Sequence, residues 1–307
     1  MIMKKILTLL YLAPIVFTGG CAFGQATVWT HPWTATIKVV DENGQPVAGT
    51  TVAVWFYVQP PTGQPEASDK VEGLTDTNGI FKISHASTGS ISLTFQANKT
   101  GYYSTTKGHE FATFNDNDPQ KWDPNETLLL KKIGKPIAMY AKSITSIEFP
   151  VFNKPIGYDL TTGDWVAPYG KGVTTDFLFT ENHADAKSGY TFTVSFPHSG
   201  DGVQGFSRDW SSGISGLLSS HEAPIEGYQP KYEQTQMPDP NRIYYFRVRT
   251  VLDENGNIKS TLYGKIYGDF MQFRYYLNPT PNSRILEFDP KQNLLGSLQS
   301  FEQVSAP

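Results

Sequence analysis

Six histidines are spread along the 307-residue chain, at His31, His85, His109, His183, His198 and His221. Imidazole serves both as a metal ligand and as a base near neutral pH. His183 has Asp185 beside it and His198 has Asp201, so each pair offers two ligands where a catalytic metal needs about three. His221-Glu222 lacks the second histidine of a His-Glu-x-x-His helix. Asn115-Asp116-Asn117-Asp118-Pro119 has the composition of a calcium loop. Counted from Asp116, however, Lys121 and Thr127 stand where an EF-hand needs Gly and Glu. Asp209-Trp210-Ser211-Ser212 followed by His221 assembles a hydroxyl, a base and a carboxylate, but in a Ser-rich loop that permits many such sets. Paired carboxylates of a glycosidase are defined by a separation in space, which spacing in the chain does not give. No nucleophile elbow or phosphate-cradling loop occurs. The spacing therefore assigns no catalytic group, no metal and no cofactor. An enzyme with a site of another pattern in the second half stays open.

Aromatic side chains give a second kind of chemistry, and they make up 13% of the chain. Trp165, Tyr169, Trp210 and Tyr228 lie in Gly/Pro/Ser-rich segments. Amphipathic rings in such loops are good contacts for proteins and sugars. The competing reading is that they cap the ends of a β core. The four are candidate ligand-binding residues.

The elements that must hold these residues read as strands. Hydrophobic residues make up 39% and charged residues 18% of the chain, too apolar for disorder. The chain has 27 Gly and 21 Pro, 48 turn formers in all. With many Thr and Val, this predicts an all-β protein with many turns. One cysteine excludes a disulfide framework and multi-cysteine metal sites. A net charge of -4 gives no support for a nucleic-acid partner.

The N-terminus has the layout of an export signal. Lys4 and Lys5 precede an apolar run over residues 6–17, too short for a permanent span. Thr18-Gly19-Gly20-Cys21 then resembles the lipobox of bacterial lipoproteins, with Thr18 in place of the usual Leu. The resemblance implies that residues 1–20 are removed and that Cys21 is lipidated. It further implies attachment to the membrane through that anchor, with Ala22 compatible with the outer membrane. Two alternatives remain: cleavage within residues 22–26, which would yield a periplasmic or secreted protein, and an incidental cysteine. A tether is expected over residues 21–33.

From residue 34 the pattern alternates. Strands are expected over residues 34–40, 50–58, 80–83, 90–97 and 126–132, within a set of about seven, and residues 59–70 read as an exposed loop. Val40-Asp41-Glu42-Asn43-Gly44-Gln45-Pro46-Val47-Ala48-Gly49-Thr50-Thr51-Val52 and Thr75-Asp76-Thr77-Asn78-Gly79-Ile80-Phe81, with Lys99-Thr100-Gly101-Tyr102-Tyr103, resemble a carboxypeptidase-regulatory-like domain over residues 34–133. That resemblance implies an Ig-like or transthyretin-like sandwich serving as an accessory module, with no peptidase activity. In turns, Gly44 and Gly79 supply positive φ and Asp41 and Asp76 accept backbone N–H bonds. Tyr102 and Tyr103 are expected to pack over the end of the sandwich.

Gly134 and Pro136 mark a boundary, and residues 135–300 resemble no characterised family. Strands are expected over residues 145–151, 175–179, 190–196, 243–251, 258–267 and 270–278, with a last one near residues 286–291. Arg242-Ile243-Tyr244-Tyr245-Phe246-Arg247 joined through Asp253-Glu254-Asn255-Gly256 to Leu262-Tyr263-Gly264-Lys265 predicts a long hairpin. Residues 200–240 read as long loops with a short helix near residues 214–220. The expectation is a lipid-anchored, non-catalytic binding or structural module of the bacterial cell envelope, with two all-β domains. An extracytoplasmic carbohydrate-binding protein is the alternative. A glycan or an envelope protein is the expected partner.

Overall fold

A computed structural model describes residues 30–58, 67–88, 92–111, 123–185, 189–234 and 241–307. Among these residues the chain forms strands and one short 3-10 turn at Ser300–Glu302, and no α-helix. The strands of the first unit are β1 (Thr30–Asp41), β2 (Thr51–Val58), β3 (Ala67–Leu74), β4 (Ile80–Thr88), β5 (Ser92–Asn98), β6 (Thr105–Glu110) and β7 (Asn125–Leu130). Then follow β8 (Ile137–Ile144), β9 (Ile156–Asp159), β10 (Asp164–Trp165), β11 (Phe177–Asp185), β12 (Gly189–Ser195), β13 (Gly202–Ser207), β14 (Ile214–Ser215) and β15 (Lys231–Gln234). The chain closes with β16 (Arg242–Leu252), β17 (Ile258–Gly268), β18 (Phe273–Leu277) and β19 (Phe288–Asn293).

The first unit is a sandwich of a β4-β1-β7 sheet on a β14-β6-β5-β2-β3 sheet. Alternation along β1 sends Trp33, Ala35, Ile37 and Val39 inward, where they meet Val52, Val54 and Phe56 of β2 and Leu93, Phe95 and Ala97 of β5. Each Val, Ile, Leu or Phe side chain among them removed from water contributes about 1.5–3 kcal/mol. Asp41 Oδ1 accepts from Asn43 N and Gln45 N, and Asp76 Oδ1 accepts from Asn78 N and Ile80 N. Gly44 and Gly79 close these turns at φ 73 and 72. At Gly79 a Cβ would also lie 2.5 Å from the Val39 carbonyl oxygen.

Three expectations for this half need correction. The strand β1 begins at Thr30, so residues 30–33 are not tether, and Trp33 is buried against Phe56 with ring centroids 5.5 Å apart. Residues 67–70, read as loop, lie in β3. Tyr102 does pack on the first core, but the Tyr103 hydroxyl donates to Glu287 of the second unit.

The second unit is also a sandwich. A β10-β9-β11-β12-β15 sheet faces a β13-β16-β17-β18-β8-β19 sheet. Phe177, Phe179, Phe192 and Val194 of the first meet Tyr244, Phe246, Val248, Ile266 and Tyr275 of the second. The six-stranded sheet is buried on its outer face too, where Ile243, Tyr245, Tyr263, Tyr267 and Tyr276 lie under Leu218, Ala223, Tyr228 and Leu286. Burial on both faces explains the apolar run Ile243-Tyr244-Tyr245-Phe246 of β16. The expected hairpin is present as β16 and β17, and Asp253 repeats the first unit's turn by accepting from Asn255 N and Asn257 N.

Residues 145–151 are not a strand; the strand in that part of the chain is β8, at Ile137–Ile144. No helix forms at residues 214–220. Ile214–Ser215 instead pairs with Thr105 and Thr106 of β6 and extends the first unit's sheet. A backbone donor at a sheet edge needs a partner, and here the second unit supplies it.

Candidate functional site

An apolar concavity of about 440 Å³ lies where the two sandwiches meet, within the range of small-molecule sites. Leu129 and Lys131, at and beyond the end of β7, form one wall. Phe206 of β13, Ile243 and Tyr245 of β16 and the loop residue Trp210 form the other. Ile214, Leu217, Leu218 and Pro224 join the walls along the segment that crosses between the units. The rings of Phe206 and Tyr245 meet edge to face at 5.3 Å. Trp210 is 36% exposed, and the Arg208 guanidinium covers its ring at 4.2 Å, a cation–π contact.

Long-range bonds hold the crossing segment. Lys131 Nζ donates to the Ser219 carbonyl at 2.6 Å, and Leu129 N donates to the Ser212 carbonyl at 3.0 Å. Tyr245 Oη accepts from Ser220 N at 2.9 Å. Beneath the segment lies Lys265, fully buried, with Nζ 3.2 Å from Ser219 Oγ and over the rings of Tyr267 and Tyr276. Burial, and then the charge of Lys131, hold the Lys265 amine well below its ordinary pKa.

Behind the cleft His221 spans the two units. Its Nδ1 lies 2.8 Å from Glu287 Oε1 and its Nε2 lies 2.9 Å from Glu42 Oε2. Ionised carboxylates only accept, so two such bonds need both ring nitrogens to carry protons, as in the imidazolium. Burial lowers the His221 pKa, but hydrogen bonds to Glu42 and Glu287 outweigh it and raise the value. Glu287 also accepts from Tyr103 Oη and Gly134 N. Burial pushes its carboxyl up, whereas Gly134 N–H, Tyr103 and His221 bring it below its ordinary value.

A second polar cluster lies in the second unit, away from the cleft. Arg249 has φ 57, in the left-handed region that a bulky side chain rarely adopts. Its guanidinium holds buried Asp176 through Nε at 2.7 Å and Nη2 at 3.0 Å, and reaches Asp159 at 3.3 Å. Burial raises the Asp176 pKa despite this pairing. Burial also raises that of Asp159, but the amides of Thr174 and Val173 and the hydroxyl of Thr161 overcome it and lower the value. Every polar partner belongs to the 159–176 loop or to β16, so the cluster organises that loop.

The four aromatic candidates do not converge. Trp165 packs among Tyr158, Phe149 and Phe179 at 5.3, 5.6 and 5.7 Å, and its indole N–H donates to the Glu148 carbonyl. Tyr169 is 45% exposed beyond β10. Tyr228 covers the outer sheet face, with its hydroxyl on the Pro224 carbonyl and Arg247 over its ring. Only Trp210 lines the cleft.

The histidine pairings resolve differently. His198 Nδ1 meets Asp201, which also accepts from Thr250 N. His85 packs on Phe56 with tilted rings and centroids 4.4 Å apart, and His109 meets Glu126 at 2.7 Å. Ser211 Oγ donates to Asp209 and not to His221, so the serine set is not assembled. The side chains of His31, His183 and Asp185, the whole 115–118 run and Cys21 lie outside the described residues. Among the described residues no three metal-ligating side chains gather.

Leu129, Lys131, Phe206 and Tyr245 were not singled out from the sequence. The one available signal was the crowding of Gly, Ser and aromatics over residues 200–240, since long ordered loops carry sites.

No protein-family model and no curated protein matches the chain. Among solved structures, it resembles 3-chlorocatechol 1,2-dioxygenase from Rhodococcus opacus 1CP at 16% identity and TM-score 0.25, over 33% of this chain and 60% of that one. Hydroxyquinol 1,2-dioxygenase from Pseudomonas putida DLL-E4 matches at 15% and 0.26, over 35% and 59%. The shaft pilin SpaA from Lactobacillus rhamnosus GG matches at 11% and 0.24, over 73% and 89%. The match thus spans about three fifths of the dioxygenases' length. At such scores none of these likenesses bears on what this chain does.

Proposed function

We propose that the protein is an exported, lipid-anchored, non-catalytic binding module of the bacterial cell envelope. In this reading a carboxypeptidase-regulatory-like sandwich is the pedestal and the junctional cleft is the ligand face. The observation that carries it is the cleft itself, an aromatic-lined cavity built jointly by two packed sandwiches. The placement of the poles supports it. The described chain enters at Thr30 and β1 runs to Asp41, next to Glu42 and its bond to His221. Twelve residues of strand cover about 36 Å, which separates the start of β1 from Glu42 and its bond to His221 by that distance.

A glycan remains the second reading, favoured by the exposed edge of Trp210 and the Ser207, Asp209 and Ser212 side chains around it. The test compares parent and Trp210→Ala proteins against soluble envelope glycans and small amphiphiles by calorimetry. A loss of at least tenfold in affinity with an unchanged melting temperature is expected for whatever binds. Retained affinity in Trp210→Ala would remove the cleft from the function. For the anchor, Cys21→Ser should release the protein from membranes and abolish fatty-acid labelling.

A further inference from the structure

We infer that the cleft takes an amphipathic anion, meaning an apolar or aromatic body that carries one carboxylate or phosphate, with Lys131 as its counter-charge. The inference rests on the cleft being the ligand face, as proposed above, and names the chemistry that face selects.

The apolar part of the argument is the lining. Phe206, Trp210, Ile214, Leu217, Ile243 and Tyr245 present carbon to the cavity from both sheets and the crossing segment. Placing an apolar group there removes surface from water on both partners.

The charged part is Lys131. Lys131 lines this apolar space, and its Nζ donates to the neutral Ser219 carbonyl. No carboxylate of the described residues lies within ion-pair distance of it. The nearest candidates are committed elsewhere: Glu42 and Glu287 both bond the imidazole of His221, and Glu287 also takes Tyr103 and Gly134. Lys265 behind it adds an amine rather than an anion. At the mouth, Asp209 is turned onto Ser211 N and Oγ at 2.8 Å each, while the Arg208 guanidinium lies over the Trp210 ring. The cleft is thus an apolar cavity lined in part by an under-neutralised ammonium, that of Lys131. Burying a cation without an anion is costly, and burial lowers the Lys131 pKa, with Glu42 only partly offsetting it. A ligand carboxylate beside Lys131 would complete a charge-assisted bond in a poorly solvated place, where such bonds are strong. A cationic ligand would meet repulsion from the same groups, and a neutral one would leave Lys131 as it is.

The test uses three matched probes of one shape, 4-phenylbutyrate, 4-phenylbutanol and 4-phenylbutylamine, titrated into the full-length protein by calorimetry or ligand-observed NMR. The carboxylate is expected to bind at least tenfold more tightly than the alcohol, and the amine more weakly than either. Lys131→Met should bring the affinities for carboxylate and alcohol within about twofold of each other. Lys131→Arg should keep the preference, which guards against a Met variant that merely folds poorly. Titration of Lys131 followed by NMR should move upward when the carboxylate is bound. Equal affinities in the parent, binding of none of the probes, or a preference that survives Lys131→Met would overturn the inference. Trp210→Ala separates it from the broader reading. If that variant weakens all three probes alike and no charge preference exists, the cleft stands and the anion fails. If probes bind and Trp210→Ala changes none of them, the cleft itself is not the site.

Discussion

The two sandwiches are closed by the same kind of turn, yet they use their sheets differently. In the first, strand residues alternate between the core and water, as Trp33, Ala35, Ile37 and Val39 of β1 alternate with the partly or fully exposed Thr34, Thr36 and Lys38. In the second, the six-stranded sheet is buried on both faces, and the outer cover is irregular chain from residues 216–230 and the C-terminal segment. A second layer of strands packs a face evenly. A cover of loops leaves gaps, and the cleft opens where that cover crosses to the first unit. The difference teaches that the site arises from incomplete covering of a sheet face.

The comparison breaks most strongly at the inner core. Phe246→Ala empties a fully buried position that meets Phe177 at 5.0 Å, and should cost about 3–5 kcal/mol. Denaturant unfolding with separate probes for each sandwich should show the second unit weakened first. Equal loss in both units would mean that the junction makes them one cooperative body.

Trp165 and Trp210 sharpen it next. Trp165 is partly buried among three aromatic rings, so Trp165→Ala should cost about 2–3 kcal/mol. Trp210 lies at the rim beneath Arg208, and Trp210→Ala should cost less than about 1 kcal/mol. Thermal melts of the two variants decide it, and a reversed order would return Trp210 to the core.

The smallest expected effect tests the junction by pH. The folded pKa of His221 is raised, so its contribution is fully present below its unfolded value of 6.5 and is lost as pH rises through the folded value. The folded pKa of Glu287 is lowered, so its contribution is present above its unfolded value of 4.5 and is lost as pH falls through the folded one. Stability of the junction should therefore peak between these limits. His221→Gln should cost about 1 kcal/mol near pH 6 and flatten the decline on the alkaline side. NMR titration of the ring should give a midpoint above 6.5; one at or below it would show that the double carboxylate contact does not hold the imidazolium.

The fold was legible where local chemistry decides. Three Asp-x-x-Gly turns, at Asp41, Asp76 and Asp253, were read from residues within four positions of each other. The long β-branched and aromatic runs of β2, β16 and β17 were equally readable. Strands β3 and β6 were missed because they carry charged and small residues with no clean alternation. They exist because β2 and β5 offer them a ladder.

The site was legible in one residue. Trp210 stands out in a Gly/Ser-rich loop, but Trp165 has the same signature and sits against the core. Composition does not distinguish a ring that caps a core from one that lines a gap, since that depends on what the fold places opposite it.

What the sequence determined alone was the all-β class, the turns and the main hairpin. These follow from φ preferences and the two-residue period, both properties of neighbours in the chain. What tertiary structure alone decided was the junction. Lys131 meets Ser219 across 88 positions, and His221 meets Glu42 across 179. No periodicity links such residues, because their encounter depends on how two finished sandwiches pack, and that packing gives Lys131 an apolar wall without an anion beside it.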